Sequence, residues 1–294
     1  MFNGIHAIAY ALFNTDETLD RAAMRRQTEI CLAAGVDGMA ALGLATEVSK
    51  LREAERRLIM DWTAEDVAGR APLAFTIYGN SVAEQVAQIR HAESVKADWV
   101  ILQPPNVGSY AGVEYIRFFG RIADQTTLPV AIQNAPAYMG RGLTGEEIRD
   151  LVTQHPNVKL LKGEGSVVEI ERVIAATEGL LPVLNGRGGL ELTDNFRAGC
   201  AGMILAPVMI DKQVAIWRAM RAGKPAEAEA LYEKVLPTIL FIMQSLESSN
   251  CYGKRMYGIR AGLTIHDRAP ALRPTAFGLE LTAAHAARLG AFSS

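Results

Sequence analysis

Short apolar segments alternate with longer amphipathic segments along most of this chain. The apolar segments predict buried strands, because parallel strands covered on both faces carry near-continuous apolar side chains. The predicted strands are Ile5–Ala11, Gly38–Leu42, Leu73–Tyr78, Trp99–Pro104, Pro129–Asn134, Val158–Gly163, Leu181–Gly186 and Gly202–Pro207. The amphipathic segments predict helices at residues 18–34, 52–69, 81–96, 112–126, 144–154, 167–178, 190–198 and 211–222.

The strict alternation of strands and helices predicts an α/β fold with parallel strands, and eight such units close a (β/α)8 TIM barrel. Thr18, Ser81 and Thr144 are the expected N-caps, and the pair Ala34-Gly35 marks a helix end. An open doubly wound sheet is the alternative fold. It is disfavoured because no GxGxxG turn follows the first predicted strand.

The pattern changes at about Lys224, after which no convincing strand occurs. Residues 226–247 carry a helical pattern instead, which predicts a C-terminal helical extension. We therefore expect a catalytic barrel over residues 1–223 and a helical region over residues 224–294.

Composition and charge exclude several classes of partner. The net charge is −2 and the chain has no run of like charges, so nucleic acid and acidic membranes are poor candidates. Residues 1–5 lack the features of a signal peptide, and no apolar stretch is long enough to span a membrane. Cys31, Cys200 and Cys251 are far apart and odd in number, which indicates reduced packing thiols in a cytoplasmic protein.

Lys162 is the candidate nucleophile, because it lies at the end of an apolar strand that is predicted to be buried. Side chains alternate along a strand, so Lys162 and Glu164 are expected on one face and Lys159 on the other. Burial inside a barrel favours the neutral amine, which can form a Schiff base with a carbonyl group. The alternative is that Lys162 only pairs with a loop carboxylate such as Glu164.

Barrel active sites lie at the C-terminal ends of the strands. In this chain glycines and amides dominate there, which suits a small, polar, anionic substrate held by backbone N–H groups. The segments concerned are Gly43-Leu44-Ala45-Thr46-Glu47, Gln103-Pro104-Pro105-Asn106, Gln133-Asn134-Ala135-Pro136, Lys162-Gly163-Glu164-Gly165 and Asn185-Gly186-Arg187-Gly188-Gly189. No cluster predicts a metal site, no cofactor is expected, and His6 is expected to be a core or rim residue.

These segments, with Lys162 on the sixth strand and the helical tail, resemble the class I aldolase and dehydratase family typified by dihydrodipicolinate synthase and N-acetylneuraminate lyase. The resemblance covers nearly the whole chain. It implies a Schiff base between Lys162 and a 2-keto acid whose carboxylate is held by the loop 43–47. Leu44 and Ala45 replace the hydroxyl residues usual in that loop, so recognition would depend on backbone amides and Thr46. The family also implies a homo-oligomer, either a tetramer or a dimer.

Departures from the family's usual sequence narrow the expected activity. The tyrosine that moves protons in the family is replaced by Gln133, whose amide cannot act as an acid or a base. The arginine that binds a second carboxylate in dihydrodipicolinate synthase aligns with Tyr138. The tyrosine that this enzyme takes from a neighbouring subunit aligns near Asn106-Val107, with Tyr110 close by. Dihydrodipicolinate synthase activity is therefore not expected.

Glu164 is the expected acid–base group, with simple neutralisation of Lys162 as the alternative. A lysine-x-glutamate on strand six with Gln133-Asn134-Ala-Pro on strand five is similar to the 2-keto-3-deoxy-L-arabonate dehydratases, as is the segment 247–254. This likeness implies a lyase that dehydrates a 2-keto-3-deoxy sugar acid. The rival interpretations are a retro-aldolase that releases pyruvate and an aldehyde, and a non-catalytic barrel that binds 2-keto acids.

Four polar residues would bind the hydroxyl groups or the distal end of such a substrate: Gln133, Asn134, Asn185 and Arg187. The carboxylate end would lie on Gly43, Leu44, Ala45 and Thr46. For Arg187, a loop cation that faces solvent is the alternative. Glu47 is expected to be structural, since a carboxylate in such a loop commonly binds backbone N–H groups.

Overall fold

The computed structural model describes residues 2–106 and 108–292, and its centre is a closed barrel of parallel strands. The strands are β1 (Gly4–Ile8), β2 (Gly38–Ala41), β3 (Leu73–Ile77), β4 (Trp99–Leu102), β5 (Val130–Asn134), β6 (Val158–Gly163), β7 (Val183–Asn185) and β8 (Gly202–Leu205). They pair in sequence order, and β1 closes the barrel on β8. The predicted TIM barrel is confirmed and the open doubly wound sheet is wrong.

Every predicted helix is present, although the observed ends differ by a few residues. The helices of the barrel are α1 (Arg21–Ala34), α2 (Glu53–Val67), α3 (Val82–Ser94), α4 (Gly112–Ala123), α5 (Pro136–Met139), α6 (Gly145–Gln154), α7 (Val167–Ala176), α8 (Leu192–Arg197) and α9 (Ile210–Arg221). The short helix α5 was not predicted. It is one turn long, which is too short to show a helical period in the sequence.

Two of the three expected N-caps are confirmed. The side chains of Ser81 and Thr144 accept hydrogen bonds from the backbone N–H groups of Glu84 and Glu147. Thr18 is not a cap, because the chain before α1 forms a tight turn and the helix starts later. Asp20 caps α1 instead, and it accepts a hydrogen bond from the N–H of Ala23 at 2.9 Å.

The barrel interior is filled by small and large apolar side chains that complement each other. They are Ile8, Ala40, Ala74, Trp99, Ile101, Ala131, Leu160, Leu184 and Ile204. His6 is fully buried, its ring lies 5.8 Å from the Trp99 ring, and its Nε2 lies 3.1 Å from Asn3 O. His6 is therefore the core residue that the sequence predicted, and it lies in the packed interior of the barrel.

β6 directs its two lysines to opposite sides. Its register with β5 shifts between Val130 and Ala131, and Lys159 lies at this irregularity with its side chain exposed. Leu160 and Lys162 face the interior, where Lys162 is only 2% exposed. The expected alternation of the strand is confirmed, and it places one amine of this strand inside the barrel mouth.

The C-terminal region contains α10 (Pro225–Ile242), α11 (Leu246–Ser248), a π-helical turn (Ser249–Gly253), α12 (Lys254–Ala261) and α13 (Ala276–Leu289). No strand lies between residues 225 and 292, which agrees with the helical pattern. Arg260 fastens this region to the barrel, because its guanidinium binds both carboxylate oxygens of Asp211 at 3.0 and 2.9 Å. The division into two domains stays a prediction, and residues 293 and 294 lie outside the described chain. No described helix has both the length and the apolar character needed to cross a membrane.

Candidate active site

Lys162 and Glu164 form a buried ion pair at the C-terminal end of β6. Lys162 Nζ lies 2.8 Å from Glu164 Oε1, and the two side chains are 3% and 9% exposed. The backbone N–H of Glu164 donates to Asn134 O at 3.0 Å, so the chain continues the direction of the strand beyond Gly163. A carboxylate and an amine in contact can exchange a proton directly, which a nucleophilic lysine requires before it attacks.

Gly186 creates the space that the Glu164 carboxyl occupies. A Cβ atom at Gly186 would lie 3.1 Å from both Cγ and Oε1 of Glu164. Any larger residue would therefore push this carboxyl away from its position beside Lys162. A glycine is therefore required after β7 because a side chain there would displace the Glu164 carboxyl, and not only because of the turn.

The loop after β2 carries two backbone N–H groups that have no hydrogen-bond partner within the described residues. Three N–H groups of the loop are satisfied locally: Gly43 N–H donates to Thr46 Oγ1, Thr46 N–H to Gly43 O and Glu47 N–H to Leu44 O. The N–H groups of Leu44 and Ala45 donate to no group within the described residues. Both residues line a cavity of about 60 Å³ that also contains Lys162 and Glu164. Adjacent backbone donors of this kind can hold a carboxylate.

Thr46 holds the loop after β2 in place through two hydrogen bonds of its hydroxyl. Its side chain is fully buried and its hydroxyl donates to Ala9 O at 2.6 Å. The same oxygen accepts the Gly43 N–H at 3.2 Å. Thr46 therefore shapes the loop, and the geometry favours Leu44 and Ala45 as the residues whose amides face a ligand.

Gln133 and Asn134 have different surroundings although they are adjacent in β5. Gln133 is the register partner of Lys162, is 2% exposed, and accepts a hydrogen bond from Gln103 Nε2 at 2.9 Å. Asn134 holds both the N–H and the C=O of Leu143, at 2.8 and 3.0 Å. Gln133 is thus the strand neighbour of Lys162 and lines neither cavity at the barrel mouth, whereas the Asn134 amide is used to fix the loop that contains α5.

Asn185 and Arg187, both expected to bind substrate, also have different surroundings. The Asn185 side chain is fully buried and binds Gly165 O, Asn195 Oδ1 and the N–H of Gly186. It lines neither of the cavities at the barrel mouth, so this arrangement favours a positioning role. Arg187 lines the cavity of Lys162, is 23% exposed, and binds Glu191 at 2.8 Å. It therefore faces the site rather than bulk solvent.

A second, larger cavity of about 530 Å³ adjoins the first. The two share Leu44, Tyr138 and Leu246 as walls, so Tyr138 stands at the boundary between them. Asn106 lines this outer cavity, whereas Val107 lies outside the described residues. Tyr110 is 53% exposed and its ring lies 6.2 Å from that of Tyr115, away from both cavities.

The C-terminal region contributes wall residues that were not predicted as site residues. Leu246 and Ser249 line the inner cavity, and Leu246, Glu247, Asn250 and Cys251 line the outer one. The resemblance of the segment 247–254 to one branch of the family was the only sequence signal for Glu247, Ser249, Asn250 and Cys251, and no signal marked Leu246. The π-helical turn at 249–253 directs neighbouring residues to different cavities, and such turns are frequent at functional sites.

Within residues 2–106 and 108–292 there is no group of three or more His, Cys, Asp and Glu that could hold a metal ion. All three cysteines are free and buried, as predicted, and burial raises the pKa of the Cys200 thiol to about 12. Burial also raises the pKa of the Tyr10 and Tyr257 phenols, so neither is a ready proton donor at neutral pH.

Comparison with known proteins shows the family. Residues 1–267 match the Dihydrodipicolinate synthetase family. The chain belongs to this family. It is therefore an enzyme of the Schiff-base-forming lyase type, and the resemblance stated from the sequence is confirmed.

"Probable 2-dehydro-3-deoxy-D-pentonate aldolase YjhH" from Escherichia coli (strain K12) is 30% identical over 240 residues, which cover 80% of each chain. "L-2-keto-3-deoxyarabonate dehydratase" from Azospirillum brasilense is 26% identical over 245 residues, which cover 80% of this chain and 78% of that one. The solved structure of Escherichia coli K12 YagE in complex with pyruvate has a TM-score of 0.91 at 24% identity, and the match covers 98% and 99% of the two chains. At that identity the structural match establishes the fold alone.

Proposed function

We propose that this enzyme dehydrates a 2-keto-3-deoxy sugar acid through a Schiff base on Lys162. The observation that carries the proposal is the 2.8 Å contact between Lys162 Nζ and Glu164 Oε1, inside a cavity that Leu44 and Ala45 also line. A nucleophile, an acid–base group and two free backbone donors are thus within one small space. This set suits a substrate with a carbonyl carbon next to a carboxylate.

The first half of the reaction forms the imine. The N–H groups of Leu44 and Ala45 hold the substrate carboxylate, so that C2 faces Lys162. Glu164 accepts a proton from the Lys162 ammonium, and the neutral amine attacks C2 to form a carbinolamine. Glu164 returns that proton to the former keto oxygen, which leaves as water. The product is an iminium that withdraws electrons from C3.

The second half removes water from the sugar acid. Glu164 takes one C3 proton, and the electron pair of that bond forms an enamine. Glu164 then gives the proton to the C4 hydroxyl, which leaves as water while the enamine electrons re-form the iminium in conjugation with a C3–C4 double bond. Addition of water to C2 releases the unsaturated 2-keto acid and Lys162. Gln133, which has no useful pKa, orients the substrate and takes no part in proton transfer.

Retro-aldol cleavage is the second candidate. Its support is that the relative of 30% identity carries an aldolase name, whereas the dehydratase relative is 26% identical. Cleavage would use the same imine, but Glu164 would take the C4 hydroxyl proton while the C3–C4 bond breaks. Pyruvate and an aldehyde would then be released.

Borohydride trapping with pyruvate, followed by intact mass and peptide mapping, tests the shared first step. We expect an irreversible adduct on Lys162, no adduct in Lys162→Met, and a normal adduct in Lys159→Met, since Lys159 is the exposed lysine of the same strand. A folded protein without an adduct would leave the ion pair as a purely structural feature or the barrel as a binder of 2-keto acids. With 2-keto-3-deoxy acids as substrates, a product that keeps every carbon supports dehydration, and pyruvate plus an aldehyde supports cleavage. Assembly as a homo-oligomer and a cytoplasmic location stay predictions.

A further inference from the structure

The cavity that contains Lys162 holds only part of a sugar acid. Its volume of about 60 Å³ is well below the roughly 300–1,000 Å³ of an ordinary small-ligand pocket. The outer cavity of about 530 Å³ begins at Leu44, Tyr138 and Leu246, where the inner one ends. The substrate carbons beyond the reacting centre must therefore extend into the outer cavity, whose chemistry decides what the distal end of the substrate can be.

The charged groups of the outer cavity do not favour a second carboxylate. Among the described lining residues Lys50 is the one cation, and it is already bound to Glu47 Oε1 at 2.5 Å and to Arg268 O at 3.2 Å. Glu47, Glu247 and Asp267 line the same space. Hydrogen bonds from its own backbone N–H and from Ser245, with the nearby Lys50, hold the pKa of Glu247 below its usual value.

The cations behind this wall are also engaged. Lys254 Nζ binds Glu47 Oε2 at 2.5 Å, and Arg255 binds both carboxylate oxygens of Asp267. A carboxylate that entered the outer cavity would therefore find every lining cation already paired, and it would meet Glu247, which forms no ion pair within the described residues. An uncharged group avoids the repulsion from that carboxylate.

Two amide side chains of the same cavity have an oxygen that accepts no hydrogen bond within the described residues. Gln103 is 1% exposed and its Oε1 accepts no hydrogen bond within the described chain, and the same holds for the buried Oδ1 of Asn250. Both residues line the outer cavity. Buried acceptors of this kind are costly unless a ligand supplies the donor.

Gln103 and Gln133 together offer a donor and an acceptor. Their side chains share one hydrogen bond, and each keeps one buried amide group that is not satisfied by the described residues. If the oxygen and nitrogen atoms of both side-chain amides were exchanged, Gln133 would donate to Gln103 instead. One N–H group and one C=O group would still be without a partner among the described residues. A hydroxyl group both donates and accepts, so it matches this pair in either orientation.

Given the Schiff-base lyase function proposed above, we infer that the outer cavity binds the uncharged polyhydroxyl end of the substrate through Gln103 and Asn250. The substrate class is therefore a 2-keto-3-deoxy acid with one carboxylate, and acids with a second carboxylate at the distal end are rejected. Asn250, which lies in the π-helical turn of the C-terminal region, is a specificity-determining residue that hydrogen-bonds a distal hydroxyl.

The test compares a 2-keto-3-deoxyhexonate with the same compound oxidised to a carboxylate at C6, using the wild-type enzyme. We expect kcat/KM to be higher for the compound with one carboxylate by about tenfold or more. Equal values, or a preference for the diacid, would overturn the inference. Because this comparison needs no variant, it does not depend on how a substitution affects folding.

Asn250→Ala tests whether Asn250 binds the distal hydroxyl. It should lower kcat/KM for the hexonate by about tenfold, the loss of one good hydrogen bond, and leave pyruvate trapping on Lys162 unchanged because pyruvate has no distal hydroxyl. Gln244→Ala, which removes an exposed amide outside both cavities, is the matched control. Loss of trapping in Asn250→Ala would show a structural role for Asn250 and overturn its assignment. Absence of trapping in the wild-type enzyme would instead contradict the proposed function itself.

Discussion

Glu47 and Lys254 are 207 residues apart in the chain, and their side chains meet at 2.5 Å in the interior. Glu47 ends the loop that carries the free N–H groups of Leu44 and Ala45, and Lys254 begins α12. Lys254 is 1% exposed; burial lowers its pKa, and the adjacent Glu47 carboxylate opposes that effect. The buried pair thus joins the proposed carboxylate-binding loop to the C-terminal region.

Replacing Lys254 should destabilise the protein and weaken substrate binding. In Lys254→Met the Glu47 carboxylate stays buried with Lys50 as its one cationic partner, and removing one member of a buried pair costs about 3–5 kcal/mol. Lys50 should keep the loss at the lower end of that range. We expect KM to rise more than kcat falls, because the loop that holds the substrate carboxylate becomes less ordered. Urea unfolding and steady-state kinetics measure the two effects.

The double variant Glu47→Gln/Lys254→Met provides the control for this prediction. Since it removes both buried charges, it should regain part of the stability that Lys254→Met loses. If the double variant were less stable than the single one by the full additive amount, the two residues would not be coupled and the proposed link would be contradicted.

Glu164→Gln should separate imine formation from turnover. A glutamine is nearly the same size and can still contact Lys162, but it cannot accept or donate the proton that moves between C3 and the C4 hydroxyl. We expect the borohydride-trapped adduct still to form, but more slowly because the Lys162 proton must pass to water, while kcat falls by a factor on the order of 10²–10⁴. Near-normal turnover would remove Glu164 from the mechanism. Glu171→Gln, which changes an exposed carboxylate of α7 outside both cavities, is a suitable comparison.

Gly186→Ala tests the geometry of the same carboxyl without changing its chemistry. The added Cβ would lie 3.1 Å from Glu164 Cγ and Oε1, so the carboxyl must shift by a few tenths of an ångström or more. We expect kcat to fall by about tenfold or more, since small displacements of a catalytic group have large effects on rate. KM for the substrate should change less, because the loop after β2 is untouched. Unchanged kcat in a folded variant would show that the position of this carboxyl does not limit the reaction.

Glu55 should make stability depend on acid pH. Burial opposes its ionisation, but hydrogen bonds from Arg268 and Arg52 outweigh burial and hold its pKa at about 2, below the ordinary value of 4.5. A carboxyl whose pKa is lower in the folded state stabilises the protein above the unfolded-state pKa, and that contribution is lost as pH falls from about 4.5 to about 2. The full contribution is about 3 kcal/mol.

Urea unfolding between pH 7 and pH 2.5 checks this contribution. Glu55→Gln should be less stable than the wild type at pH 7, and the difference should shrink as the pH falls through that window. Glu53→Gln, two residues earlier in α2, removes a carboxylate whose side chain is 62% exposed. Its effect on the free energy of unfolding should depend far less on pH. A constant difference between Glu55→Gln and the wild type at every pH would contradict the assignment.

Parts of the active site followed directly from strand periodicity. Lys162 and Glu164 share parity on β6, so their contact at the barrel mouth could be expected from the sequence, as could the exposure of Lys159. Other residues of the cavities could not be predicted from strand or helix periodicity. Ser249 and Asn250 reach the two cavities from a π-helical turn, and α5 places Tyr138 between those cavities.

The roles of several polar residues depended on partners that are distant in the chain. Asn134 and Asn185 are the last residues of β5 and β7, yet their amides are used by Leu143, Gly165 and Asn195. Thr46 is likewise satisfied by Ala9 O. Such hydrogen bonds leave no periodic signal, because they are made by single side chains to backbone groups of other elements.

The sequence by itself determined the barrel, the order of its strands and the placement of Lys162, because the period of two in strands and of about 3.6 in helices follows from local backbone geometry. The tertiary structure decided which polar groups remain free for a ligand. Only the closed barrel brings Glu47 to Lys254 and Asn250 to the cavity beside Gln103, since these contacts join segments separated by more than a hundred residues. The shape and charge of the outer cavity are therefore properties of the fold, while the contact between Lys162 and Glu164 follows from the end of one strand.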